Sequence, residues 1–370
     1  MYMNLCLTAF LVLILTLPCP GQPTAGANAA QQRIDLGKKA LAVVAGHLKD
    51  ANSDIRAQAA TVLGAAGNKA AAGVLGKMLQ DRDKYVRIAA AHALWELGST
   101  AGLKTIYEIL KNVPDVKGAE SSPLAALKII SRNKIREKAL ETLAAMRGPK
   151  AAETLVRMKD DDFGPIRDTA ARELARLGRT EELARFVDAL ASEDEALRYE
   201  SASALSRICA GGVTQGLLSL LETEKAVRVR LAALDAIKCD PGKKAAAAQL
   251  LKLADDANPA IKYKAITALA GIKDDTVKSK LGAIAADTTD IRLKLAAHSG
   301  LIAAGAKGDV AVPERGYEAI SPEVRIEALE LLESFSPEEA QPLLTRAIDD
   351  ENVRVKLTAA RQIITRFSKK

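Results

Sequence analysis

The chain has 370 residues, 48% of them hydrophobic, 27% charged and only 3% aromatic, with a single tryptophan. That is enough chain to bury a large core, but so few rings argue against a deep aromatic-lined ligand pocket and against stacking on single-stranded RNA or DNA. A net charge of +7 permits anionic partners by long-range attraction and identifies none of them.

The first 32 residues carry no charge, and Leu5 to Leu17 form an apolar run too short to cross a bilayer comfortably. This reads as a signal peptide over residues 1–29. Pro18, Pro20, Gly21 and Pro23 break any helix after the run, and Ala27-Asn28-Ala29 places small residues where a signal peptidase needs them. Cleavage is expected after Ala29, with Ala25 as the alternative. Met1-Tyr2-Met3-Asn4 lacks the usual lysine or arginine, and Thr16-Leu17-Pro18 before Cys19 is a poor match to a lipid-anchor signal. No later stretch approaches the roughly 18 apolar residues of a membrane span. The expectation is an exported chain, periplasmic or extracellular, without a membrane-spanning helix.

One pattern fills residues 30–370. The stretch DRDKYVRIAAAHALWELG, at 81–98, contains an aliphatic–basic pair followed by alanines, and versions of it recur. The basic member falls at Arg56, Arg87, Arg136, Arg167, Arg198, Arg230, Lys262, Lys294, Arg325 and Lys356, at successive spacings of 31, 49, 31, 31, 32, 32, 32, 31 and 31. A fixed period of this size indicates a solenoid. Val86, Ala90, Ala93, Leu94 and Leu97 share one helical face, and Gly98 ends the helix. Four residues before the marker stands a capping residue in seven copies: Asn52, Asp83, Asp194, Asn258, Asp290, Ser321 and Asn352. A second apolar helix completes each unit, as in KAAAGVLGKMLQ or KKAAAAQLLKLA.

Residues 31–50 behave as a lone second helix and residues 353–370 as a lone first helix, half-units expected to cap an open core at either end. The long spacing reflects an insertion at about 112–131. Pro114, Gly118 and Ser121-Ser122-Pro123 make its first half a loop, and Leu124 to Ile130 an apolar helical turn. That turn either tucks against the solenoid, which is the expectation, or projects as a partner-binding element. Cys209 and Cys239 lie one repeat apart. Equivalent positions on neighbouring helices usually sit about 10 Å apart, so two unpaired thiols are expected rather than a disulfide.

His47, His92 and His298 stand on separate helices with no second ligand at metal spacing, and no P-loop, GxGxxG, GxSxG or CxxC occurs in the mature chain. Asp160-Asp161-Asp162 and Asp349-Asp350-Glu351 precede first helices, where capping and helix-dipole effects account for them. No catalytic residue, metal site or cofactor is expected.

The unit D/N-x-x-V-R-x-x-A-A-x-A-L followed by a second helix resembles the HEAT repeat, in its short PBS-lyase HEAT-like form, over about residues 31–370. The resemblance implies an all-α, right-handed α-solenoid of about ten two-helix repeats. It also implies that the marker row is a ladder between neighbouring repeats, a reading that agrees with a buried stem and a forked head satisfying helix-end carbonyls. The alternative is a row of ligand contacts. In such solenoids the second helices line the concave side, where Lys77, Arg157, Lys252, Arg315 and Arg346 recur at one register. They form either a basic partner-binding row or a solvated face.

A non-catalytic protein-binding scaffold with an acidic protein partner is therefore expected. The alternatives are a binder of an anionic polymer, glycan or nucleic acid, with nucleic acid disfavoured by export, or an enzyme by analogy with bilin lyases built from these repeats.

Overall fold

The structure, a computed structural model, describes residues 25–114 and 122–367. Residues 1–24 of the expected signal peptide and 115–121 of the insertion lie outside the described residues, while positions 25–29, around the expected cleavage site, are the start of the first helix. Among the described residues there are helices and turns, no strand, and no helix long and apolar enough to cross a membrane.

Ten first helices carry the markers: α2 (Ser53–Ala65), α4 (Lys84–Glu96), α6 (Pro123–Arg147), α8 (Gly164–Arg176), α10 (Glu195–Ile208), α12 (Val227–Cys239), α14 (Pro259–Leu269), α16 (Ile291–Ala303), α18 (Pro322–Leu331) and α20 (Val353–Phe367). The second helices are α1 (Ala25–His47), α3 (Ala72–Met78), α5 (Leu103–Lys111), α7 (Ala152–Met158), α9 (Thr180–Asp188), α11 (Thr214–Thr223), α13 (Ala247–Leu253), α15 (Asp275–Asp287), α17 (Ala311–Tyr317) and α19 (Pro337–Ala347). All seven expected caps accept from backbone N–H groups at their helix starts, for example Asp83 from Tyr85 and Asn352 from Arg354. Gly98 ends α4 at φ 83°, as its position requires. Small residues set the helix spacing: a Cβ on Gly64 would come within 2.7 Å of the Ala93 Cα, so α2 and α4 touch backbone to backbone.

The two half-units do not cap open ends. They complete each other: α1 takes the place of the missing second helix beside α20, and α20 packs on α2 as each first helix packs on the next. Leu36, Ala40 and Val44 of α1 share one buried cluster with Ala360, Ile363 and Ile364 of α20, so the core runs across the junction. Arg33 adds bonds to Glu338 (2.8 Å) and Gln341 (3.1 Å) of α19, and Lys39 pairs with Asp349 (2.5 Å). The solenoid thus closes into a ring, because a lone second helix and a lone first helix have complementary bare faces.

Two further expectations are corrected. Cys209 and Cys239 form a disulfide with Cα atoms 5.2 Å apart. The spacing rule for equivalent helical positions does not apply, because Cys209 has left the helix in a left-handed conformation, φ 52°, that turns it toward the last residue of α12. In the insertion, Leu124 to Ile130 are not a separate turn tucked on the solenoid but the start of α6, which at 25 residues is the longest described helix. Leu124 and Leu127 are each 61% exposed and Ile130 is 42% exposed.

Candidate protein-binding surface

Five markers grip a carboxylate 25 or 26 residues further on, just before the next first helix. Arg56 holds Asp81 with two nitrogens at 2.8 and 2.9 Å, while its third nitrogen reaches the carbonyls of Asp50 and Ala51 ahead of its own helix. Arg325 does the same with Asp350 (3.0 Å twice), Ala319 and Ile320. Arg136 holds Asp161 together with Asn133 and the Leu110 carbonyl; Arg198 holds Glu224 at 2.6 Å, and Arg230 holds Asp256 at 3.0 Å. Each carboxylate also accepts the N–H two residues on, as Asp81 does from Asp83, so one arginine ties together the loops of successive repeats. Its acceptor is this residue, two before the cap, rather than the cap itself.

Among the described residues, Arg87 and Arg167 reach loop carbonyls only. Lys262, Lys294 and Lys356 make no side-chain hydrogen bond among the described residues. For the first two, the position that would hold the carboxylate is Thr288 and Ala319. A two-nitrogen grip needs a carboxylate opposite it, and these two lysine markers have none.

The ladder carboxylates sit below their ordinary range. For Asp81 and Glu224 the arginine hydrogen bond is the main cause, and for Asp256 it is the Asn258 N–H. For Asp161 and Asp350 burial is the largest effect and pushes upward, but hydrogen bonds from Arg136 and Phe163, or from Tyr317 and Arg325, together outweigh it. Folded values below unfolded ones give stability that is present above about pH 4 and is lost as pH falls through the folded values. Melting temperature should stay level from pH 7 to about pH 5 and fall from there to about pH 3, and Asp81→Asn should flatten that fall.

The first helices, not the second, form the concave wall. Among the described residues, side chains two repeats apart meet only among first helices: Glu141 of α6 accepts from Arg207 of α10 at 3.3 Å, and Tyr263 of α14 donates to Glu327 of α18 at 3.1 Å. Such contacts require the inside of a curve. Glu141 also accepts from Arg172 (2.6 Å) and pairs with Lys138 (3.3 Å), and Arg176 donates to Glu173 (2.7 Å). These side chains line a cleft of about 440 Å³. Burial, with the neighbouring charge of Glu141, holds the Glu137 carboxyl above its usual range. Across α14, α16 and α18, Arg292 of α16 binds Glu327 and lies 4.3 Å over the Tyr263 ring, and burial and the Glu327 charge push the Tyr263 hydroxyl up to about 12. A second cleft, of about 520 Å³, crosses α2, α4 and α6 between Ala57, Tyr85, Ile88, His92 and Lys138.

The expected basic row is placed differently. Lys77, Arg157, Lys252, Arg315 and Arg346 are all exposed on second helices, as their register implies, but those helices form the outer layer, so the row faces outward rather than into the concave side. Arg346 stacks over Tyr317 at 5.5 Å. The inner-wall residues carried a signal in the sequence: five residues after the marker stand Thr61, His92, Glu141, Arg172, Ser203, Asp235, Thr267, Ser299, Glu330 and Arg361, polar in every copy of an alanine-rich motif. The histidines remain apart. His47 lies 3.2 Å from Asp50, His92 lies 3.8 Å from Glu96, and His298 accepts the Asp309 N–H at 2.8 Å.

A closed, two-layer ring of helical pairs tied by an arginine–carboxylate ladder is a helical-repeat protein. The family model of HEAT repeats matches residues 41–125, 157–238 and 214–302, and the chain belongs to that family. No curated protein matches it in sequence. Among solved structures it is similar to human deoxyhypusine hydroxylase in complex with glycerol, at 17% identity over 76% of this chain and 99% of that one, TM-score 0.31. It is also similar to the complex of CpcE and CpcF of phycocyanin lyase from Nostoc sp. PCC7120, at 16% identity over 79% and 94%, TM-score 0.33. A Kap121p mutant gives 14% identity over 89% of this chain and 42% of that one, TM-score 0.35. None of these overlaps transfers an activity to this chain.

Proposed function

We propose that this protein is a non-catalytic protein-binding scaffold acting in the periplasm or outside the cell, and that it holds an acidic protein segment on the inner wall of its ring. The observation that carries this reading is the inner wall itself, where charged side chains such as Arg172 and Arg207 stand in clefts on helices held rigid by the core and the ladder. A rigid concave surface loses little entropy on binding. The uncharged leader with its apolar run supports export, and the Cys209–Cys239 disulfide is compatible with an oxidising compartment. The non-catalytic reading rests on the histidines, which stand apart from one another and are engaged by Asp50, Glu96 and the Asp309 N–H.

The test uses native protein recovered from the periplasm or medium, with an intact mass that starts at Ala30. Immobilised, it should retrieve a reproducible acidic partner from the envelope fraction. Arg172→Glu with Arg207→Glu should abolish the capture, whereas charge reversal of Lys77, Arg157, Lys252, Arg315 and Arg346 should leave it unchanged. The opposite pattern would move recognition to the outer row, and retrieval of a glycan in place of a protein would favour the anionic-polymer reading.

A further inference from the structure

The first three turns of α6 extend beyond the neighbouring helices. On the side toward the ring, Ala125, Ala126 and Ile129 are half-buried, while Leu124, Leu127 and Ile130 are exposed. At 100° per residue, Leu124 and Leu127 fall on the same face as Lys138 and Thr142, two residues that line the cleft of about 520 Å³. The apolar stripe and the cleft therefore form one continuous track along a helix about 27 Å long from Leu124 to Thr142. Lys128 and Arg132 are exposed beside the stripe and have no ion-pair partner among the described residues. Lys84, at the start of α4, is held below the usual lysine range, first by burial and then by the charges of Arg132 and Arg87. Among the described residues these three cations have no ion-pair partner, and they form a basic patch beside the stripe.

We infer that the start of α6 is the docking site for an acidic amphipathic helix, whose apolar side covers Leu124, Leu127 and Ile130 and whose carboxylates meet Lys84, Lys128 and Arg132. The inference rests on the scaffold reading and names the place and the kind of partner. Charge selects the occupant. A second copy of this chain would set cation against cation across the stripe, and a like-charged pairing is disfavoured. A flat anionic bilayer would suit a basic apolar helix on a convex surface, but this stripe lies on the face that continues into the concave wall. Leu124, Leu127 and Ile130 recur every third residue, which keeps them on one side of α6 as a track for the apolar anchors of a docked helix.

The test is fluorescence anisotropy on the full chain with a labelled synthetic peptide of about 18 residues, long enough for five turns. The peptide carries leucines at helical spacing on one face and glutamates on the other; a control replaces the glutamates with lysines. The acidic peptide should bind and weaken with salt, and the lysine control should bind much less. Leu124→Ser with Leu127→Ser should weaken binding by at least about tenfold, or 1.4 kcal/mol. Both leucines are exposed, so the variant should melt as the parent does. Equal binding to parent and variant overturns the site. If binding survives that change but is lost in the Arg172→Glu and Arg207→Glu variant, the scaffold reading stands and the docking place is wrong. A dimer in sedimentation velocity that the leucine variant loses, or flotation with phosphatidylglycerol vesicles that it loses, assigns the stripe to self-association or to a membrane and overturns the proposal.

Discussion

Replacing Arg136 with alanine is expected to destabilise the ring by about 3–5 kcal/mol, because it removes one partner of a buried ion pair and leaves the other behind. Arg136 is 2% exposed and the Asp161 side chain 10%. Its nitrogens serve Asp161, Asn133 and the Leu110 carbonyl at once, so the alanine variant leaves three acceptors with fewer partners in a place water reaches poorly. The pair itself contributes less than that figure suggests. Exchanging both members for apolar groups, Arg136→Met with Asp161→Leu, should recover the part of the loss due to the stranded charge, while Asn133, the Leu110 carbonyl and the Phe163 N–H still lack their partners. Denaturant melts of the two variants separate the cases. A single variant as stable as the parent would return the marker row to the ligand-contact reading.

Opening the seam should have the second large effect. Leu36 and Val44 of α1 and Ile363 of α20 are at most 7% exposed, and each buried aliphatic side chain contributes about 1.5–3 kcal/mol, so loss of the seam costs on the order of 5 kcal/mol. The ion pairs across it matter less: Arg33 and Glu338 are 31% and 62% exposed, which limits that pair to about 0–1 kcal/mol. Val44→Asp places a carboxylate where Val44 is 0% exposed, and the cheaper response is to separate α1 from α20 rather than bury the charge. Each repeat keeps its neighbours, so the helical signal at low temperature should persist while the radius of gyration rises and the melting temperature falls. Hydrogen exchange gives an independent check. In the parent α1 and α20 should be protected like central helices, and in the variant they should fray as the ends of an open array do. Unchanged scattering and melting in Val44→Asp would mean the ring is not held at this junction.

The sequence by itself determined the period, the helical class, the seven caps and the starts they mark; the ladder role that five of the ten markers take came with the family resemblance. These follow from contacts within about one repeat: a cap side chain and the N–H two or three residues on, an apolar face at 3.6-residue spacing, an arginine and its own helix-end loop. The acidic ladder residues stood in plain view at a constant offset, and lysine appeared at two markers where the acid was missing. The polar row five residues after the marker was equally readable, yet its meaning was not, because no repeat states which of its two helices faces inward. That choice, with the ring closure, depends on small rotations between neighbours summed over ten repeats, and only the tertiary structure carries the sum. The Cys209–Cys239 bond turned on one left-handed residue after α10, and the exposure of Leu124 and Leu127 turned on α6 starting three turns before its neighbours cover it. In each case the local pattern was the same whichever way the chain went, and the physical cause was what packed against it.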